Sequence, residues 1–300
     1  MWFKNLRLFR LLSSWNETAE SLNSALETQR FHAGSSQEKQ SFGWVPTGPD
    51  GTLVHAMEGQ YLFTLRTEKK LLPSSVINQV ANSRAADIEA EQGWRPGRRQ
   101  MREIKENVTD ELLPKAFSIF HDTRVWIDSQ QRWLVIDAAA VNRADDVIAL
   151  LAKTLDPFPI EPVYLETSPG SSMTDWLLKD EPPAGFTIDQ EAELRASDDT
   201  RATVRFVRHT ITPDDVQAHI QAGKRCTRLA LTWADRLSFV LTDAFEIKRL
   251  APLDILTEEA SSQGTSDAEQ FDADFALMTR ELSAMFSELI DALGGEKAPL

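Results

Sequence analysis

Residues 201–250 read RATVRFVRHTITPDDVQAHIQAGKRCTRLALTWADRLSFVLTDAFEIKRL, and their pattern decides the fold class. Thr203–Ile211 alternates as a strand does, with Val204 and Phe206 on one face and Thr203, Arg205 and His209 on the other; Arg201 extends the second face. Thr212-Pro213-Asp214-Asp215 then opens a helix, with Thr at the cap, Pro at the first helical position and acids against the positive end of the dipole. Gly223 stops that helix and leaves Lys224 just beyond it. Leu229–Trp233, Leu237–Leu241 and Glu246–Leu250 follow as an antiparallel meander. Strand, helix and meander together predict an α+β protein, with antiparallel sheets and helices packed on them.

The same stretch concentrates positive charge. Residues 201–249 hold nine Lys/Arg (Arg201, Arg205, Arg208, Lys224, Arg225, Arg228, Arg236, Lys248, Arg249) against five Asp/Glu, a balance of +4. Residues 250–300 hold two basic and eleven acidic residues, and the chain as a whole carries −14. A uniformly acidic surface repels phosphate, so a polyanion is bound only where cations are gathered closely enough for their local field to dominate. The competing reading is a less acidic lobe of an acidic protein.

Three hundred residues, 42% of them hydrophobic, suffice for one large or two ordinary domains. The opening MWFKNLRLFRLL carries Lys4, Arg7 and Arg10, which fits neither a signal peptide nor a membrane span, and no later apolar run reaches membrane length. The single cysteine, Cys226, forms no internal disulfide and fits a reducing cytoplasm; it reads as a small core side chain more readily than as a reactive thiol.

Outward from the central stretch, Trp2–Leu11 reads as a strand, 17–28 as a helix, 34–60 as a Gly/Ser/Pro-rich loop and Tyr61–Leu65 as a strand. Pro73 opens a helix to about Glu91, which breaks at Gly93-Trp94-Arg95-Pro96-Gly97. In the helix that follows, Arg98, Arg102 and Lys105 share a face with Arg99 beside them, a basic stripe or an ordinary solvated one. Arg124–Asp128 and Trp133–Asp137 read as a hairpin, Arg143–Leu155 as a helix and 271–293 as a long helix ended by Gly294-Gly295. Prolines at 157, 159 and 162, or Pro182-Pro183 within Asp180–Gly185, mark a boundary between lobes; it is placed near residue 165, dividing the chain into 1–165 and 166–300.

Motifs for chemistry are scarce. Gly223-Lys224 is followed by Arg225, so it is not a phosphate loop; G-x-G-x-x-G, H-E-x-x-H, C-x-x-C and G-x-S-x-G do not occur, and histidines 32, 55, 121, 209 and 219 do not cluster. Asp272 and Asp274, near Asp267 and Glu269, fit either a divalent-cation site of nuclease type or first-turn acids favoured by the helix dipole.

Several strings, in order along nearly the whole chain, carry a resemblance. They are Trp2-Phe3-Lys4-Asn5-Leu6, Gly43-Trp44-Val45-Pro46, Leu113-Pro114-Lys115-Ala116-Phe117-Ser118, Trp126-Ile127-Asp128, His219-Ile220-Gln221-Ala222-Gly223-Lys224, Leu229-Ala230-Leu231-Thr232-Trp233, Phe271-Asp272-Ala273-Asp274-Phe275 and Leu289-Ile290-Asp291-Ala292-Leu293-Gly294-Gly295-Glu296. Together they resemble the bacterial recombination-associated protein RdgC family.

The resemblance implies a cytoplasmic, nucleoid-associated protein that binds double-stranded DNA with little sequence preference and restrains the RecA recombinase. It further implies an elongated, curved subunit closing into a ring-shaped homodimer with DNA in a positively lined hole. It places Phe117 across a dimer gate and Arg208 and Lys224 near that gate, where His209 replaces the family's amide side chain. Phe117 as ordinary core and Lys224 as a helix C-terminal cation remain the alternatives. Trp44, Trp126 and Trp233 read as core.

The expected DNA-contacting set is therefore Arg98, Arg99, Arg102, Arg201, Arg205, Arg208, His209, Lys224, Arg225 and Arg228, acting on the phosphate backbone without catalysis, metal or cofactor. A metal-dependent DNA-processing enzyme using Asp272 and Asp274, and a protein–protein adaptor without DNA affinity, are the rival readings.

Overall fold

Alternating apolar residues in the N-terminal strands send neighbouring side chains to opposite faces of one sheet. The structure, a computed structural model, describes residues 2–12, 15–256 and 266–297. Its elements run β1 (Leu6–Leu11), α1 (Ala19–Glu27), β2 (Gln40–Val45), β3 (Val54–Met57), β4 (Gln60–Lys70), α2 (Ser74–Gln92), α3 (Arg98–Leu112), a short 3-10 turn (Leu113–Lys115), β5 (Ser118–Asp128) and β6 (Trp133–Asp137). They continue as α4 (Val141–Thr154), β7 (Ile160–Pro162), α5 (Pro169–Lys179), β8 (Phe186–Ala196), β9 (Thr203–Val207), α6 (Pro213–Gln221), β10 (Lys224–Trp233), β11 (Leu237–Thr242), β12 (Ile247–Pro252) and α7 (Asp267–Ala292). Among the described residues no helix is long and apolar enough to cross a membrane.

All twelve strands join one antiparallel sheet in the order β2-β4-β5-β6-β1-β12-β11-β10-β8-β9, with β3 on β4 and β7 on β1. On β6, Trp133 and Val135 enter one core while Leu134 and Ile136 enter the other; on β5, Trp126 faces opposite to Val125 and Ile127. This is the period-two consequence of the pleat. Helices α1 and α4 cover the second core, and α5, α6 and α7 cover the first. The buried tryptophans Trp44, Trp126 and Trp233 are core as expected, and truncating a fully buried aromatic to Ala costs roughly 3–5 kcal/mol.

Strand β1 is the seam. It pairs with β6 along Leu6↔Asp137 to Arg10↔Trp133 and touches β12 at Leu6↔Ile247. Asp137 locks the junction, accepting from the Lys4 and Asn5 N–H groups at 3.0 and 2.9 Å and from Arg124 at 2.9 Å. Helix α7 bridges both sides: Phe286 meets Trp126 and Trp133, while Glu288 accepts from the Trp233 indole at 2.7 Å.

Beyond the seam the described helices cover only one face. Leu229, Leu231, Phe239, Leu241 and Ile247 point into the core beneath α5–α7, and among the described residues no helix contributes a core residue on the other face of β12-β11-β10-β8-β9. That face therefore carries Thr227, Thr232, Thr242, Glu193, Arg195 and Arg205.

Several expectations change. The sheet is single rather than several. The stretch 34–60 contains two strands, β2 and β3; the hairpin of β4 and β5 runs eleven residues on each side; and α5 and β8 fill the interval 166–202 where nothing was foreseen. The strand expected over 203–211 ends at Val207, because Arg208 turns to φ +53°. Lys224 stands just past α6, whose C-cap is Ala222 and which Gly223 ends at φ +85°, as expected, and it also opens β10.

Candidate nucleic-acid interface

The cations foreseen in 201–249 divide by what holds them. Arg205 on β9 stands opposite Glu193 of β8 and donates to it at 2.7 Å; Arg195 reaches the same carboxylate at 2.8 Å, and Thr227 donates at 2.9 Å. Arg236 donates to Glu281 of α7, Lys248 pairs with Glu246, and Arg249 pairs with Glu191. These side chains spend their charge on the fold.

Arg201, Arg208, Lys224, Arg225 and Arg228 have no ion-pair partner among the described residues. Arg201 sits in the β8–β9 turn and Arg208 just past β9, both at positive φ. Lys224 and Arg225 pair in register with Ala196 and Arg195, so the turn and the start of β10 bring Arg195, Arg201, Lys224 and Arg225 to one end of the sheet. Like charges directly opposite across a ladder repel, which makes the Arg195/Arg225 pair a cost to the fold. Arg228 occupies a bulge opposite Glu193.

Arg208 and Lys224 are not neighbours. The His209 N–H bonds to the Gln190 carbonyl midway along β8, whereas Lys224 pairs with Ala196 at its C-terminal end; six residues of strand separate them, roughly 20 Å. His209 stacks on Phe206 and pairs with Asp215 at 3.3 Å. Asp215 in turn accepts from the Thr212 N–H and hydroxyl at 2.9 and 2.7 Å, which holds its carboxyl below the usual range and fixes the start of α6.

The second basic group lies at the far side of the sheet order. Helices α2 and α3 form a hairpin inserted between Lys70 and Ser118, the last register pair of β4 and β5. Arg98, Arg99 and Arg102 are exposed on α3; Arg99 and Arg102 make i,i+4 pairs with Glu103 and Glu106, a kind of surface pair worth a few tenths of a kcal/mol. The stripe is thus partly balanced by Glu106 as well as by Glu103. At the hairpin's neck the Leu71 N–H bonds to the Phe117 carbonyl at 2.7 Å, and the Phe117 side chain is 83% exposed, which removes the ordinary-core alternative. Leu71 and Phe120 are also exposed there.

Arg195 was missed because β8 was missed: Asp, Glu and Ala, which fill much of it, are depleted in strands, and Glu193 is a buried acid within one. Burial alone would raise the Glu193 carboxyl, but hydrogen bonds from Arg205 and Thr227 and the charges of Arg195 and Arg205 outweigh it and hold the group below its usual value. A depressed folded-state value contributes stability above the unfolded value, about 4.3, and loses it as pH falls. Glu193→Gln should therefore lower the melting temperature at pH 7, with the gap to wild type narrowing below about pH 4 in thermal scans. Cys226 is buried, and burial pushes its thiol up to about 12, as an inert core side chain requires.

Asp272 and Asp274 sit two apart on α7, where side chains diverge around the helix. Asp272 lies 3.4 Å from His55 and Asp274 accepts from Gln270 at 3.1 Å, and among the described residues no group of three or more His, Cys, Asp or Glu is placed to hold a metal ion.

Fold and surface together define an α+β protein with a wide antiparallel sheet, one half-face of which no described helix covers and which is edged with cations that lack an ion-pair partner among the described residues. A family model described as "Putative exonuclease, RdgC" matches residues 1–296. The chain is 56% identical over 297 residues to the recombination-associated protein RdgC of Bordetella parapertussis, covering 99% of each. It is 52% identical over 297 residues to that of Cupriavidus necator and 53% over 298 residues to that of Herminiimonas arsenicoxydans, again with 99% of both chains covered. The chain belongs to the recombination-associated protein RdgC family.

Proposed function

We propose that the protein binds double-stranded DNA through its phosphates, without reading sequence, and restrains a RecA-type recombinase by occupying the duplex. The observation that carries this reading is the set Arg201, Arg208, Lys224, Arg225 and Arg228, cations without an ion-pair partner among the described residues, on a chain of net charge −14. Cations that no acid among the described residues holds in an ion pair are available to release counterions from phosphate. The relatives' printed name, recombination-associated protein, supports the same setting.

A ring-shaped homodimer reconciles the dispersed basic groups. The α3 arginines and the β9–β10 cations lie at opposite sides of the sheet order, so two chains closing head to head surround a duplex where one chain presents only separate patches. Exposed Phe117, in this reading, packs across the gate. Phe117→Ser should leave the melting temperature nearly unchanged, because the side chain is already in water, while weakening self-association by roughly 10- to 150-fold, the worth of burying one Phe. Sedimentation equilibrium and a thermal scan check both halves.

Recombinase-driven pairing of a single strand with duplex should fall as this protein saturates the duplex. Unimpaired pairing at saturating occupancy contradicts the proposal. The family model's description favours one rival, an exonuclease. End-labelled duplex should stay intact through incubation with Mg²⁺ or Mn²⁺; shortening that Asp274→Ala abolishes would establish the rival instead.

A further inference from the structure

The tip of the α2–α3 hairpin carries an aromatic side chain that phosphate binding to a duplex does not use. Trp94 is 66% exposed, and it is the one exposed tryptophan of eight. Its display is built rather than incidental. Helix α2 ends at Gly93 in the left-handed region, φ +81°, with its N–H on the Glu89 carbonyl at 2.9 Å, and α3 starts from Gly97 one proline later. The hairpin beneath is held by its own core of Ala81, Ala85, Ile104 and Val108, so the tip stands on a stalk that packs independently of the main cores.

The surroundings select the partner. Residues 92–102 hold four arginines (Arg95, Arg98, Arg99, Arg102) and no acid. Arg98 and Arg99 stand in the first turn of α3, where cations oppose the helix dipole, and Gly97 supplies no side-chain cap. Stability of the helix favours acids there; Glu103 offsets Arg99 one turn on, while Arg98 has no ion-pair partner among the described residues. A flat, exposed indole amid cations matches unpaired nucleobases joined by phosphates; bases inside a duplex offer no free face.

We propose that Trp94 is a stacking platform for unpaired bases of single-stranded nucleic acid, with Arg95, Arg98 and Arg99 on the flanking phosphates. This rests on the nucleic-acid reading above, and the experiment separates the two by measuring duplex affinity alongside.

The full chain is titrated against a fluorescein-labelled oligo-dT strand and against a blunt duplex, as wild type, Trp94→Ala and Trp94→Phe. Trp94→Ala should raise the single-strand Kd roughly 5- to 150-fold with duplex Kd within about twofold, and Trp94→Phe should keep most single-strand affinity. Quenching of intrinsic fluorescence by the strand in wild type, lost in Trp94→Phe, gives a second readout independent of affinity. Single-strand affinity unchanged in Trp94→Ala, with duplex binding intact, overturns the stacking role alone; weakened self-association in that variant would then assign Trp94 to a contact between chains. Absence of binding to either nucleic acid overturns both readings.

Discussion

Replacing Arg208 and Lys224 together with Ala should weaken binding to unrelated duplexes equally, by on the order of tenfold for each lost contact at ~1.5 kcal/mol. Neither cation has an ion-pair partner among the described residues, so neither removal strands a buried acid or disturbs a ladder. About 20 Å of strand separates them, and their effects should add. The slope of log affinity against log salt should flatten by about 1.8, the value for two phosphates at 0.9 each. Arg205→Ala makes the contrast: it frees Glu193, 4% exposed, from one of its two arginines, and should cost stability as well as affinity. Anisotropy titrations at several salt concentrations, with thermal scans of each variant, separate the two kinds of cation. A loss confined to one duplex sequence would indicate base reading and contradict the phosphate account.

A large effect on the fold itself is expected at Arg236. Its guanidinium donates to both oxygens of Glu281, at 2.7 and 3.0 Å, and the Glu281 side chain is 7% exposed. Among the described residues, Arg236→Ala leaves that carboxylate buried with Arg280, at 3.2 Å, as its remaining cation. Breaking a buried pair from one side costs roughly 3–5 kcal/mol, and the remaining arginine places this case near the lower figure. A fall in melting temperature of roughly 6 °C or more should follow, at about 2 °C per kcal/mol for a chain this long. The double change Arg236→Met with Glu281→Leu should recover most of it, since the cost lies in the unpaired charge rather than in the lost contact. If Arg236→Ala melts with wild type, the α7 docking energy lies elsewhere.

What could be read in the sequence follows from where local signals suffice. Helix α6 was legible because Thr212, Pro213 and Asp215 fix its start within four residues. Helix α7 was legible in period but not in start, because its cap is Ser266 with Glu269, several residues ahead of the first strongly apolar position. Strand β2 was hidden by Gly43, which reads as a turn. A Cβ there would lie 2.5 Å from the Phe31 Cα, so the glycine marks a close backbone approach inside a strand. The first half of β5, Ser118 to Asp122, lacks a buried residue and is held only by its partner β4, a tertiary fact with no local trace. Among the candidate site residues, the charge excess was legible as composition. Its division into spent and available cations was not, since Arg205 finds Glu193 twelve residues away and Arg236 finds Glu281 at forty-five.

The most direct test of the central claim is fluorescence anisotropy of the wild-type protein with two duplexes of unrelated sequence, each titrated across salt. The account predicts equal affinities that fall steeply and in parallel as salt rises, because counterion release from phosphate drives the association. Absence of salt-dependent binding at low ionic strength would contradict it, leaving the open face of β12-β11-β10-β8-β9 as a solvated surface and the protein as an adaptor for other proteins.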